Sequence, residues 1–199
     1  KKNNAVIIHY STDYVFDGTK GSPYTEQDQP NPLNVYGQTK LAGEIAIQQI
    51  NAIHMILRTA WVYSMRGNNF VTKVLEWTKK SDVIRVVDDQ ISNPTWARAL
   101  AEITADVVAM GIEDVRSFFD RKGGIYHCAG SGYCSRYDFA MAIIQQLRNK
   151  TQTKIYFAKT VDFSTPAVRP LFSALSCIKL ECDLETMLPN WSEQLKLLK

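Results

Sequence analysis

Tyr36 and Lys40 lie four residues apart in the run Asn34-Val-Tyr-Gly-Gln-Thr-Lys40, downstream of an apolar stretch that ends in Ser11-Thr12-Asp13. In a helix that interval stacks two side chains on one face, about 6 Å apart at Cβ. A free phenol titrates near pH ~10, so it moves protons at neutral pH only where a cation stabilises the phenolate. Lys40 is placed to be that cation. The pair can then deliver a proton from the Tyr36 hydroxyl to a carbonyl oxygen as hydride reaches its carbon, while Thr12 donates a second hydrogen bond to the same oxygen. Thr12, Tyr36 and Lys40 are therefore the candidate catalytic set.

The spacing alone is common on exposed amphipathic helices, and it is the surroundings that favour chemistry. A strand-like Ala5-Val-Ile-Ile-His-Tyr10 ends in small hydroxyl residues, and a Gly/Pro-punctuated loop from Thr12 to Pro32 follows, a length usually reserved for function or disorder. A helix is expected from Asn34 to about Asn51, with Leu41, Ile45 and Ile47 on its apolar side, then a buried strand over His54–Thr59. Asn68 is expected to cap a helix holding Phe70, Val74, Leu75 and Trp77. Val83–Val87 reads as a third strand, Thr95 to about Met110 as a helix, and Gly124–Cys128 as a short strand. Ser135 caps a further helix through Phe139, Ala142, Ile143 and Leu147.

Strands alternating with helices predict an α/β fold, a parallel sheet with helices on both faces, its site at the strand tips. After Asn149 the pattern changes to a strand at Lys154–Phe157, an irregular stretch from Thr160 to Pro170, and short helices near Cys177 and Trp191. We expect residues 1–149 to form the catalytic part and 150–199 a smaller C-terminal substrate-binding lobe, interleaved with parts of 60–130. Neither Gly-x-Gly-x-x-Gly nor Gly-x-x-Gly-x-x-Gly occurs, so the usual seat for a dinucleotide pyrophosphate is missing from these residues.

A chain of 199 residues, 45% hydrophobic, can bury a substantial core. No apolar run reaches the length of a membrane span, and the opening Lys1-Lys2-Asn3-Asn4 has neither an initiator Met nor a signal-peptide core, so the chain is expected to begin inside a longer protein. Lys and Arg number 23 against 20 Asp and Glu, scattered rather than striped, which argues against nucleic acid as a partner. Cys128, Cys134, Cys177 and Cys182 show no metal-ligand spacing and read as free thiols of a reducing cytoplasm. His9, His54 and His127 sit in apolar runs and read as core. Asp88 and Asp89, at a strand end, read as solvated, structural or substrate-contacting residues.

Three segments together carry a resemblance: Tyr10-Ser-Thr-Asp-Tyr-Val-Phe-Asp-Gly18, Pro30-Asn-Pro-Leu-Asn-Val-Tyr-Gly-Gln-Thr-Lys-Leu-Ala-Gly-Glu44 and Arg58-Thr-Ala-Trp-Val-Tyr63. They resemble the extended short-chain dehydrogenase/reductases and, within them, the family that reduces dTDP-4-dehydrorhamnose. Asp89-Gln90 with Pro94-Thr95, and Arg169-Pro170 with Ser173 and Leu175, look like two further motifs of that family. The resemblance implies an incomplete Rossmann-type sheet, with the glycine-rich cofactor segment upstream of Lys1, and a chain that by itself binds nicotinamide weakly. It also implies NADPH or NADH as cofactor, a dTDP-sugar as substrate, and no membrane partner.

By the same resemblance Tyr36 donates the proton, Lys40 holds the nicotinamide ribose and supports Tyr36, and Thr12 bonds the C4 carbonyl oxygen. Asp13 and Trp61 touch the sugar nucleotide, Trp61 closing over a deoxysugar ring, and Arg169 contacts the nucleotide. Ala60, where a serine is common, and Phe172, where asparagine is common, depart from the family pattern. A sheet lacking its first half exposes a strand edge, so the chain is expected to aggregate or to pair with a second copy as a homodimer. Two readings stand beside the reductase: another NDP-sugar 4-keto reductase or epimerase, which Trp61 disfavours in the epimerase case, and a non-catalytic binding subunit, which the intact Thr12, Tyr36 and Lys40 disfavour.

Overall fold

The structure, a computed structural model, describes residues 5–50, 53–146 and 153–198. In chain order the elements are β1 (Ile7–Thr12), α1 (Val35–Gln49), β2 (His54–Thr59), β3 (Val62–Tyr63), α2 (Phe70–Lys80), β4 (Val83–Val87), β5 (Ile91–Ser92), β6 (Thr95–Trp96), α3 (Ala97–Met110), α4 (Val115–Lys122), β7 (Gly124–His127), β8 (Cys134–Ser135), α5 (Arg136–Gln146), β9 (Lys154–Ala158), α6 (Ile178–Leu184) and α7 (Trp191–Lys196). The expected end of the first helix at Asn51 and the expected division at residues 149 and 150 lie outside the described residues.

β2 is the centre of a three-stranded parallel sheet in the order β1-β2-β7. Met55 through Thr59 are all buried, the near-continuous burial of a parallel strand covered on both faces. The register pairs Ile7 with His54 and Thr12 with Thr59, so β1 and β2 end level and their tips form one rim. Met55 and Leu57 pack with Leu100, Ile103 and Val107 of α3, Phe119 of α4, and Leu180 and Leu184 of α6.

The strand expected as the sheet's third member behaves differently: β4 pairs in parallel with β9 and not with β2. Its burial alternates, with Ile84 and Val86 inside and Val83 and Arg85 outside. Such a strand has one apolar face to cover, and α2 and α5 cover it through Val71, Val74, Phe139 and Ile143, joined by Leu195 of α7. Residues after 153 thus supply both cores, Leu180 and Leu184 one and Leu195 the other.

Local chemistry sets the boundaries. Asn34 Oδ1 accepts the Gly37 N–H at 2.9 Å and starts α1. Asn69, not Asn68, caps α2, with Thr72 closing a capping box. Thr95 and Trp96 pair with β3 before α3 begins at Ala97. An unexpected helix, α4, starts where Asp114 Oδ1 accepts the Ser117 N–H at 2.9 Å. Ser135 and Asp138 bond each other's backbone N–H groups and so cap α5. Among the described residues no helix is long and apolar enough to cross a membrane, and no His, Cys, Asp or Glu cluster could hold a metal ion.

Candidate active site

The rim formed by β1 and β2 carries the candidate residues. Thr12, 5% exposed, ends β1 and caps the 3-10 turn Asp13–Val15: its Oγ1 accepts the Tyr14 N–H at 3.2 Å and donates to Asp13 Oδ1 at 3.1 Å. Asp13 Oδ2 accepts from Ser92 Oγ at 3.1 Å and from Ser173 Oγ at 2.5 Å. Burial pushes the Asp13 carboxyl up, and the hydrogen bonds from Ser173, Ser92 and Thr12 pull it down. Asp13 is 2% exposed with both oxygens engaged, so its carboxylate ties the β1 tip to β5 and to Ser173.

α1 rests directly on this turn. A Cβ at Gly37 would stand 2.2 Å from the Tyr14 carbonyl oxygen and 2.9 Å from Pro32 Cβ, so only glycine permits the approach. Two turns further, buried Glu44 receives Arg58 of β2 in a fork, Nε to Oε1 at 3.0 Å and Nη2 to Oε2 at 2.6 Å. The guanidinium also lies 5.2 Å from the centroid of the Phe16 ring. Gly37 and Glu44 thus fix one face of α1 inward and leave the adjacent face outward.

That outward face presents Tyr36 and Lys40. Tyr36 is 55% exposed, its ring edge-on to Tyr14 with centroids 6.0 Å apart. Its hydroxyl carries no hydrogen bond among the described residues and is open to a ligand. Lys40, one turn on, does not reach that hydroxyl: its ammonium donates to the Tyr10 carbonyl and lies 3.5 Å from His9 Nε2. The shared face expected of the i, i+4 pair is thus kept, while the Lys40 ammonium is anchored to β1, because a lysine stem can swing to any acceptor within its length. Burial, then the charge of Lys40, lowers the His9 imidazole, which keeps it a neutral neighbour of the ammonium. Sequence reasoning gave His9 no role; its period-2 place on β1, one residue from Tyr10, was the available signal.

Trp61 joins β2 to β3 with φ 42°, a left-handed conformation that an L-residue adopts only under constraint. Arg136, the first residue of α5, lies 3.5 Å from the Trp61 ring centroid and 4.7 Å from that of Phe70. A guanidinium thus stacks on the indole that the resemblance expects to close over a deoxysugar ring. Arg169 is exposed, and its charge reaches Arg136 and Tyr14. Behind Arg136 opens a cavity of about 480 Å³ lined by Phe70, Trp77, Ile84, Val86, Gln90, Thr160 and Phe163. Asp89 does not line it. Its carboxylate accepts the Thr160 N–H at 2.9 Å and Oγ1 at 2.7 Å, a structural role, while Gln90 Nε2 bonds Thr160 Oγ1 at 3.0 Å.

A parallel sheet whose rim carries the Thr12 hydroxyl, with the Tyr36 phenol and the Lys40 ammonium on the adjoining α1 and a largely apolar cavity nearby, defines a Rossmann-like α/β substrate-binding domain. The chain belongs to the RmlD substrate binding domain family, which matches residues 1–198. It is similar to dTDP-4-dehydrorhamnose reductase of Escherichia coli (strain K12), 40% identical over an alignment of 198 residues that covers 96% of this chain and 64% of the relative. A solved dTDP-4-dehydrorhamnose reductase from Clostridium acetobutylicum ATCC 824 superposes with a TM-score of 0.86 at 38% identity, over 96% of this chain and 64% of that one. The Bacillus anthracis str. Ames counterpart, solved in complex with NADP, gives 0.83 at 32% identity over 98% and 66%. The chain spans 64% of the length of the Escherichia coli relative.

Proposed function

We propose that the full-length protein containing these residues reduces the C4 keto group of dTDP-4-dehydro-6-deoxy-L-mannose (dTDP-4-dehydrorhamnose) to give dTDP-L-rhamnose for polysaccharide biosynthesis. The observation that carries this reading is the unengaged Tyr36 hydroxyl, held by the Gly37 approach over the turn that begins at Thr12. The names of the Escherichia coli and Clostridium acetobutylicum relatives support the same reaction.

Thr12 exchanges its Asp13 bond for one to the C4 oxygen, and Tyr36 gives that oxygen its proton. Lys40, anchored on the Tyr10 carbonyl, places a positive charge one turn from the phenol that must bear negative charge after transfer. Asp13, fastened to Ser92 and Ser173, holds Thr12 in place. The cavity behind Arg136 takes the nucleoside, its apolar wall of Phe70, Ile84 and Val86 suiting a base and Gln90 and Thr160 offering polar edges.

A nicotinamide cofactor, NADPH or NADH, supplies the hydride when bound. The residues present suit its ribose: the Tyr36 hydroxyl and the Lys40 ammonium lie on one open face of α1 beside half-exposed Tyr10. The NADP bound to the Bacillus anthracis relative supports this choice. Free cysteines, two of them buried, accord with a reducing cytoplasm. The test is loss of NADPH absorbance when the full-length protein meets dTDP-4-dehydrorhamnose. Turnover with that ketone is expected, and turnover only with ketones lacking the dTDP group would overturn the reading.

A further inference from the structure

Residues 163–169 have neither helix nor strand, and each of them is exposed. Both ends of this stretch are fastened. Before it, the Asp89 carboxylate accepts the Thr160 N–H and Oγ1. After it, the Leu171 carbonyl accepts the Ile91 N–H at 2.7 Å, and Pro170 packs so near Gly18 that a Cβ on the glycine would stand 2.7 Å from Pro170 Cβ. Between the two anchors the chain passes the cavity, with Phe163, Ser164 and Thr165 in its lining, while the apolar side chains of Phe163 and Val168 face outward, uncovered. A strap with fixed ends and few buried contacts belongs to the low-stability part of a fold, from which covers over ligands are drawn.

Among the described residues, one hydrogen bond ties residues 164–169 to the rest of the fold: Asn34 Nδ2 donates to the Val168 carbonyl at 2.8 Å across 134 positions of sequence. The same side chain, itself buried, caps α1 through Oδ1 and the Gly37 N–H at 2.9 Å. The cap needs only an acceptor, and Asn, Asp and Ser serve there about equally well. The tie to Val168 needs a donor with the reach of an amide, which a carboxylate cannot supply. Both ends of the Asn34 amide are therefore in use, one on the helix turn that carries Tyr36 and the other on the strap beside the cavity.

We propose that Asn34 is a positioning residue: it seats the 163–169 strap on the first turn of α1, so that one contact both encloses the nucleoside end of the substrate and registers it against the helix bearing the proton donor. This rests on the reductase reading above and adds to it a residue and a moving part. Asn34 acts through the Val168 backbone and touches neither the ligand nor the reacting atoms. A nucleoside in the cavity gives Phe163, Ser164 and Thr165 a surface to close on, and the Asn34 amide fixes where the strap lands.

The test is the full-length Asn34→Asp variant, which keeps the cap and turns the donor into a second acceptor facing the Val168 carbonyl. Urea midpoint, dTDP affinity by calorimetry and the rate of chymotrypsin cleavage after Phe163 are compared with the parent. The midpoint should be unchanged, dTDP should bind about fivefold more weakly, the worth of one hydrogen bond, and cleavage, which follows the open population of the strap, should quicken by about the same factor. Asn34→Ser, a second capping residue too short for Val168, should repeat this result, and Asn34→Ala, which also loses the cap, should lower the midpoint as well. A role confined to capping would leave Asn34→Asp like the parent in affinity and cleavage. If the parent binds dTDP and either quantity is unaltered in Asn34→Asp, the strap proposal is wrong and the reductase reading stands. If the parent binds no dTDP, both fall together.

Discussion

Gly37 and the Tyr14 carbonyl oxygen are so close that a methyl group on Gly37 would stand 2.2 Å from that oxygen. The distance between the candidate phenol of Tyr36 and the candidate hydroxyl of Thr12 is therefore set by a backbone contact, one residue from Tyr36 and two from Thr12. Gly37→Ala must lift the first turn of α1 off the turn after β1, taking Tyr36 with it. Displacements of about 1 Å can cost roughly 100-fold in turnover. We expect that order of loss in kcat, with dTDP affinity retained, from steady-state kinetics and calorimetry on the full-length variant.

Glu44 and Arg58 are buried together, their side chains 0% and 3% exposed. Removing one partner strands a charge in the core, which typically costs roughly 3–5 kcal/mol. Glu44→Gln and Arg58→Met should each lower the urea midpoint accordingly. Because Glu44 lies on α1, turnover should fall before global unfolding does. Equal stability of the single variants and the parent would show that the pair does not anchor α1.

The unfolded chain binds a proton at His127 below about pH 6.5, whereas in the folded chain burial and the Arg58 charge lower that site to about 3. Unfolding takes up a proton throughout that window, so the stability this residue contributes is fully present above 6.5 and declines as pH falls toward 3. His127→Gln, which cannot titrate, should flatten the decline when denaturant midpoints are compared from pH 7 to about pH 4. An unchanged slope would mean the imidazole is protonated in the fold.

What could be read beforehand was what local pattern encodes. The buried run of β2, the helical face of α1 and the Ser135 cap all follow from residues a few places apart. The pairing of β4 could not be read in the same way: the burial alternation of Val83–Val87 shows a one-faced strand, yet nothing in it names β9 as neighbour. The site has the same division. Tyr36 and Lys40 are marked by their spacing together with the strand and loop that precede them, but Asp13 depends on Ser92 and Ser173, separated from it by 79 and 160 residues. Arg136, beside the motif residue Trp61 in space, is 75 positions later in sequence. Motifs marked the candidate groups, and folding brings in the side chains that hold them.

Thr12 is expected to act through its hydroxyl alone. Thr12→Ser keeps the donor and the cap to Tyr14 N–H, and should retain most activity. Thr12→Val keeps the shape and loses both. Loss of one donor to a developing oxyanion costs roughly 10²–10³ in kcat, and kcat measured on the two variants should separate by that order.

The central claim is that the Tyr36 hydroxyl supplies the proton. Single-turnover reduction of dTDP-4-dehydrorhamnose by the full-length Tyr36→Phe variant, with dTDP affinity measured in parallel, addresses it directly. We predict a loss of roughly 10²–10⁴ in the chemical step, the contribution of a positioned general acid, with dTDP affinity unchanged. Reduction at the parent rate by Tyr36→Phe would contradict the account.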